Sequence, residues 1–117
     1  MDLKQVMQQR SFVIVGNTLN ETKFACRIKH AMMQYGYDVQ CVGKELDSIN
    51  DTVGEIDIID LCIRPEKGLE LLRSCEKPCK GVVLQPGAGS DEIRQYLTEQ
   101  QIPFIDSCLL VGLAQYC

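Results

Sequence analysis

The sequence predicts an α/β fold: a doubly wound parallel sheet of about five strands, with helices on both faces. Three observations carry this. Short, nearly continuous apolar runs alternate with segments whose apolar residues recur every three or four positions. Strands that are apolar throughout belong to sheets covered on both sides. The length, 117 residues, suits one domain over 1–117 that needs no disulfide or metal staple.

The elements follow in order. Residues 1–10 read as a helical appendage, with Leu3, Val6 and Met7 on one face. Ser11–Gly16 (SFVIVG) is a β-rich run ending in glycine. Phe24–Tyr35 places Phe24, Ile28 and Met32 at i, i+4 and i+8, with Ala25 and Met33 widening the stripe. Gly36 stands where a helix C′ glycine belongs. Asp38–Val42 is the second strand. Lys44–Glu55 is polar and irregular, with Leu46, Ile49 and Val53 scattered through it, and has room for a short extra edge strand. Asp57–Ile63 (DIIDLCI) is the third strand. Glu66–Ser74 is a helix with Leu69, Leu72 and Cys75 on one face, and Pro65 suits its first turn. Gly81–Leu84 is the fourth strand. Asp91–Gln100 is a helix with Ile93 and Leu97 spaced by four and Ser90 as N-cap. Pro103–Asp106 is a short fifth strand, and Leu109–Tyr116 a last helix. Right-handed crossovers, with the 44–56 loop jumping the first strand, give the sheet order 2-1-3-4-5.

Composition narrows the function. A net charge of −4 and a pI near 4.9 oppose nucleic acid as the main partner. They leave room for a phosphate-bearing small ligand held by backbone N–H groups. No stretch approaches the roughly 20 apolar residues of a membrane span. MDLKQVMQQR lacks the apolar core of a signal peptide. Seven cysteines, an odd number without a secretion signal, read as reduced thiols in a cytoplasmic protein. Cys41 and Cys62 read as small core hydrophobes. Cys75 and Cys79 lack the second ligand pair a zinc site needs. The apolar end (Leu109, Leu110, Val111, Leu113) points to a packed terminus or a homodimer contact.

In such a sheet, ligands bind outside the carboxyl ends of the strands, at the switch point beside the first. The residues there are Gly16, Asn17 and Thr18, then Gly43 and Lys44, then Arg64 and Pro65, then Gln85, Pro86, Gly87 and Ala88, then Ser107 and Cys108. Small residues, amides and two basic side chains suit a nucleotide-like ligand better than hydrolysis. The loop GNTLNETKF lacks the second and third glycines of the dinucleotide fingerprint. Asn20 and Thr22 read as caps of the following helix. In QPGAGSDEI, Asp91 and Glu92 favour the first helical turn by about 0.3–1 kcal/mol each and would repel an anion. That loop therefore reads as a wall offering amide and backbone, or simply as a tight bend. No catalytic set is visible. The single histidine, His30, falls mid-helix, away from the strand ends. Asp57 and Asp60 lie in the third strand, where Asp60 needs a partner if buried.

These motifs, in this order, resemble the small CoA-binding-domain proteins, a Rossmann-like family related to the CoA-binding domain of succinyl-CoA synthetase. The resemblance spans about residues 11 to 110. Val15-Gly16-Asn17-Thr18 with Lys23-Phe24 is similar to the family's V-x-G-A-S segment and the basic residue after it. Gly36-Tyr37-Asp38-Val39 is similar to its "GY-x-V", and DIIDLCIRPEKGLEL to the segment that follows. VVLQPGAGSDEI, the most specific match, resembles "W-x-Q-P-G-A-x-S-E-E". The chain departs at Asn17-Thr18, where Ala-Ser is usual, and at Cys41-Val42-Gly43-Lys44, where "P-V-N-P" is frequent; it has no tryptophan.

The resemblance implies coenzyme A, or a related acyl-CoA or nucleotide, across the strand ends. Gly16, Asn17, Thr18 and Lys23 would meet phosphates. Gly43 and Lys44 would lie by the adenosine, Lys44 favouring a 3′-phosphate by charge. Ile63, Arg64 and Pro65 would form one wall, and Gln85, Pro86, Gly87 and Ala88 the other. A cytoplasmic, non-catalytic or regulatory binding module is the expectation. Two alternatives stand beside it: a ligand-free scaffold acting by protein association, which the altered second loop favours, and an NAD(P)-type oxidoreductase, which the missing fingerprint opposes.

Overall fold

The structure is a computed structural model describing residues 1–117. Its centre is a five-stranded sheet, all parallel, in the order β2-β1-β3-β4-β5. The strands are β1 (Ser11–Gly16), β2 (Asp38–Gly43), β3 (Ile56–Leu61), β4 (Cys79–Leu84) and β5 (Phe104–Asp106). The helices are α1 (Leu3–Met7), α2 (Phe24–Gln34), α3 (Pro65–Ser74), α4 (Asp91–Glu99) and α5 (Leu109–Tyr116). The expected strand order and alternation are therefore present. None of the helices is long and apolar enough to cross a membrane.

Side-chain alternation along the central strands splits the core in two. Val13, Val15, Ile59, Leu61, Val82 and Leu84 point to α3 and α4, meeting Leu69, Leu72, Ile93 and Leu97. Phe12, Ile14, Ile58 and Val83 point the other way, meeting Ile28 and Met32 of α2 and Leu109 and Leu113 of α5. Val6 and Met7 of α1 are buried on this second side. α2 stops in a Schellman arrangement: Gly36 N–H donates to Met33 O at 3.0 Å and Tyr37 N–H to Met32 O at 3.2 Å. Ser90 caps α4, its Oγ accepting from Ile93 N–H at 3.2 Å.

Several expectations need correction. Phe24 and Met33 lie outside the α2 stripe; Phe24 is 59% exposed and carries Arg27 over its ring at 5.2 Å. Ala25, Cys26, Ile28 and Met32 form the buried face. At about 3.6 residues per turn the stripe centres on Ala25, Ile28 and Met32, which leaves Phe24 and Met33 on its flanks. β3 ends at Leu61, so Cys62 and Ile63 belong to the loop, and Cys62 is only half-buried. β4 starts two residues early, because Cys79 pairs with Ile56. The extra edge strand in the 44–56 loop is reduced to one bridge, Val42 to Leu46. A single 3-10 turn, Ile49–Asp51, follows, and Ile49 is fully buried on the α3/α4 side.

At the amino edge of the sheet Asp57 ties β3 to β1. Its Oδ2 accepts from the N–H groups of Arg10 and Ser11, each at 3.0 Å, and Lys80 Nζ stands 3.1 Å from Oδ1. Burial alone would raise this carboxyl, but the two N–H groups and the ammonium outweigh it and hold it down to about 2. Unfolded, it would titrate near 3.9. The contribution is thus complete above about pH 4 and fades as pH falls towards 2. Asp57→Ala should cost roughly 2 kcal/mol at neutral pH and much less at pH 2, read by urea denaturation at both. An equal loss at both would leave packing alone to explain it.

Candidate functional site

The carboxyl ends of β1 and β3 flank the switch point. There Gly16 and Gly43 sit side by side on β1 and β2, and a Cβ on Gly43 would stand 2.8 Å from Gly16 O. Beyond Gly16 the chain turns back, with Thr18 N–H donating to Gly16 O at 3.2 Å. This turn buries Thr18, which is 1% exposed. Its hydroxyl donates to Glu45 Oε2, and Lys29 Nζ lies 2.9 Å from the same oxygen. The Thr18 hydroxyl, with help from Lys29, lowers Glu45 against the effect of burial. Burial pushes the nearby Cys41 thiol up to about 11. So the expected contact of the Thr18 hydroxyl with phosphates needs correction: the hydroxyl is spent on Glu45. Sequence reasoning misses Glu45 itself, because a partner 27 residues away leaves no local signal.

The rest of the loop folds on itself. Asn20 Oδ1 accepts from both the N–H and the hydroxyl of Thr22, at 3.0 and 2.7 Å. Neither residue caps α2. The N-cap is Lys23, which offers no side-chain bond, and the first turn of α2 holds no acid. The helix thus starts with free N–H groups and a positive end. A hollow of about 580 Å³ lies beside it, lined by Asn17, Leu19, Asn20, Glu21, Thr22 and Lys44. The structure brings Asn17 and Lys44 together here; Lys23 is exposed and outside this lining.

A second hollow, of about 220 Å³, opens between the ends of β3 and β4. Cys62, Ile63 and Arg64 face Pro86, Gly87 and Ala88 across it. Pro65 is set back as the first residue of α3. Gln85 to Ala88 form a tight turn: Ala88 N–H donates to Gln85 O at 2.9 Å, and Gly87 has φ +87°, which glycine reaches without strain. Pro86 and Gly87 are exposed. Ala88 departs from the expectation of bare backbone, since its methyl is buried in the α3/α4 core and its N–H is used in the turn.

A third hollow, of about 350 Å³, lies between the ends of β4 and β5. Gln85, Gly87, Arg94, Asp106, Ser107 and Cys108 are among its walls. Arg94 clamps Asp106 with two bonds of 2.8 and 3.2 Å, which lowers that carboxyl. Gln85 is 3% exposed, and its amide nitrogen has no partner. Asp60 pairs with Val83 in the sheet and so shares its face. It is 0% exposed, neither oxygen has a partner, and burial pushes the carboxyl well above its usual range. Burial first, then Asp60 and Cys108, raise the Cys62 thiol to about 11. Strand alternation places Asp60 on the α2/α5 face with Ile58, but nothing local tells that it stays unpaired.

The three hollows follow the strand order along one edge. Four inter-strand steps of about 4.8 Å make that edge roughly 19 Å long. Such a row suits an elongated ligand with an anion at the α2 end. A further hollow, about 330 Å³, lies at the opposite edge, where Asp57 and Lys80 are already paired with each other.

The family profile described as "CoA binding domain" matches residues 10–114. No curated protein matches the chain. Among solved structures, a hypothetical protein from Pyrococcus horikoshii OT3 superposes with a TM-score of 0.87 at 18% identity, over 98% of this chain and 89% of that one. A cell-free-produced protein from Thermus thermophilus gives 0.83 at 20% identity, over 100% of both chains. A conserved hypothetical protein from Pyrococcus furiosus gives 0.74 at 22% identity, over 88% and 98%. At such identities the neighbours speak for the fold. The profile match spans β1 through most of α5, all three hollows included, and the chain belongs to the CoA-binding-domain family.

Proposed function

We propose that the chain binds coenzyme A or a CoA-like nucleotide along the carboxyl edge of its sheet, as a binding module rather than a catalyst. The match of the family profile over residues 10–114 carries this reading. The acid-free, uncapped start of α2 supports a phosphate beside Gly16, Asn17 and Lys23. Lys44, across the same hollow, would meet the adenosine end with its 3′-phosphate. Ile63, Arg64 and the turn Gln85–Ala88 would flank the body of the ligand. A binding role fits the polar side chains of this edge: Thr18 and Glu45 hold each other, and Arg94 holds Asp106. Seven unpaired cysteines support a reducing, cytoplasmic setting.

The test is thermal unfolding with CoA, dephospho-CoA, ATP and NAD. A ligand at a hundred times its Kd should add about 2.7 kcal/mol of stability. CoA is expected to raise the melting temperature and NAD to leave it unchanged. No shift with CoA at millimolar concentration would sink the reading; a shift with NAD alone would favour the oxidoreductase alternative. Lys44→Ala should weaken CoA about fivefold and dephospho-CoA much less, because one charge-assisted contact at an exposed site is worth about 1 kcal/mol. Equal losses would remove Lys44 from the 3′-phosphate.

A further inference from the structure

We infer that Glu45 is a positioning residue for the ligand: through the buried Thr18 hydroxyl it holds the Asn17–Thr22 loop against the loop carrying Lys44, and so sets affinity from outside the walls of the hollow beside α2. This rests on the CoA-binding reading and adds to it what keeps that end of the site in shape.

The first observation is how little else anchors the loop. From Asn17 to Phe24, Thr18 is the one buried residue, 1% exposed, whereas Leu19 is 61% exposed. The other hydrogen bonds of residues 17–22 stay local: Thr18 N–H to Gly16 O, Thr22 to Asn20, and Lys23 N–H to Asn20 O. The Thr18 hydroxyl alone reaches a distant part of the chain, donating to Glu45 Oε2. A loop that must be ordered by its ligand costs affinity, and one already held does not.

The second observation is where Glu45 stands. It follows Lys44 directly, and its own loop is closed by Gly43 N–H donating to Leu46 O at 2.7 Å and Leu46 N–H to Cys41 O at 3.2 Å. Lys29 of α2 fixes the same Oε2 at 2.9 Å. One carboxylate oxygen thus joins the loops after β1 and β2 to α2. Asn17 and Leu19, on either side of Thr18, and Lys44, next to Glu45, are walls of the hollow, while Thr18 and Glu45 are not.

Charge is the third observation. An acid beside an anionic ligand repels it, and without Glu45 the Lys29 ammonium would be left unneutralised. On charge alone, losing Glu45 would tighten CoA. A positioning role demands the opposite sign.

CoA binding is to be measured by calorimetry on folded Thr18→Val, Thr18→Ser, Glu45→Ala and the Thr18→Val/Glu45→Ala double variant. Thr18→Val keeps the shape and removes the hydroxyl, and Thr18→Ser restores it. Thr18→Val and Glu45→Ala are each expected to weaken CoA about tenfold, the worth of one charge-assisted hydrogen bond. Thr18→Ser should bind as the wild-type chain does. The double variant should lose about tenfold as well, because both changes break one tie, whereas independent losses would multiply to about a hundredfold. Unchanged or tighter binding by Thr18→Val or Glu45→Ala overturns the positioning role and leaves the CoA reading standing. So does a multiplied loss, or a Thr18→Ser as weak as Thr18→Val. Failure of the wild-type chain to bind CoA overturns both. If Glu45→Ala does not fold, the contrast between Thr18→Val and Thr18→Ser decides.

Discussion

Gly16→Ala is expected to destabilise the fold by about 3 kcal/mol, near the top of the range for overpacking. An added methyl would overlap the carbonyl oxygen of Cys62 and stand 2.9 Å from the Ala25 Cβ. Neither can yield easily. The Cys62 peptide is pinned to the sheet by its N–H, which donates to Val15 O at 2.8 Å, and Ala25 is packed in the buried face of α2. Relief would need β1, β3 and the start of α2 to part, which is also where the phosphates are proposed to sit. Denaturant unfolding measures the loss. A cost under about 1 kcal/mol would show that the three elements separate without strain.

Asp60→Leu should act in the opposite direction, stabilising the chain by about 1–3 kcal/mol at neutral pH. The carboxyl is fully buried beside Ile14 and Val83, with no partner for either oxygen. A leucine of similar size replaces an orphaned polar group by an apolar one. The pH dependence identifies the cause. Burial raises the folded-state pKa above its unfolded value of about 3.9. Above that value the folded chain holds a proton that the unfolded chain has lost, so stability falls as pH rises towards the folded pKa. The gain from the substitution should therefore be small near pH 3 and larger at pH 7. Asp57 runs the other way, losing its contribution towards acid, so the two carboxyls are separable by pH. A loss of stability at neutral pH in Asp60→Leu would mean that the carboxyl has a partner. A stabilising change beside Cys62 and Gln85 would also fit the common pattern in which a binding site is kept at a cost in stability.

Much of the architecture was legible because its causes are local. The β-rich run Ser11–Gly16, the turn chemistry of Pro86-Gly87, the Ser90 cap and the extent of Leu109–Tyr116 all follow from neighbours in sequence. The sheet order followed from handedness once the 44–56 loop was read as a crossover. The candidate site was half legible. Its place at the strand ends and most of its backbone came from topology and from motifs such as QPGA. The use made of its side chains did not.

Residue order was enough for the alternation of elements, the parallel sheet, the rim on which small and amide residues gather, and the family. The family rests on the resemblance of whole motifs such as VVLQPGAGSDEI; the rest follows from periodicity, caps and turns, which act within a few residues. It took the packed chain to reveal that Thr18 is spent on Glu45, that Phe24 faces solvent, that Gln85 shares a hollow with Cys108, and that Asp60 is buried without a partner. Each depends on which side chains meet after strands far apart in sequence come into register and helices close on them. No local pattern carries that, because a hydrogen bond made or missed in the core is set by packing from several elements at once.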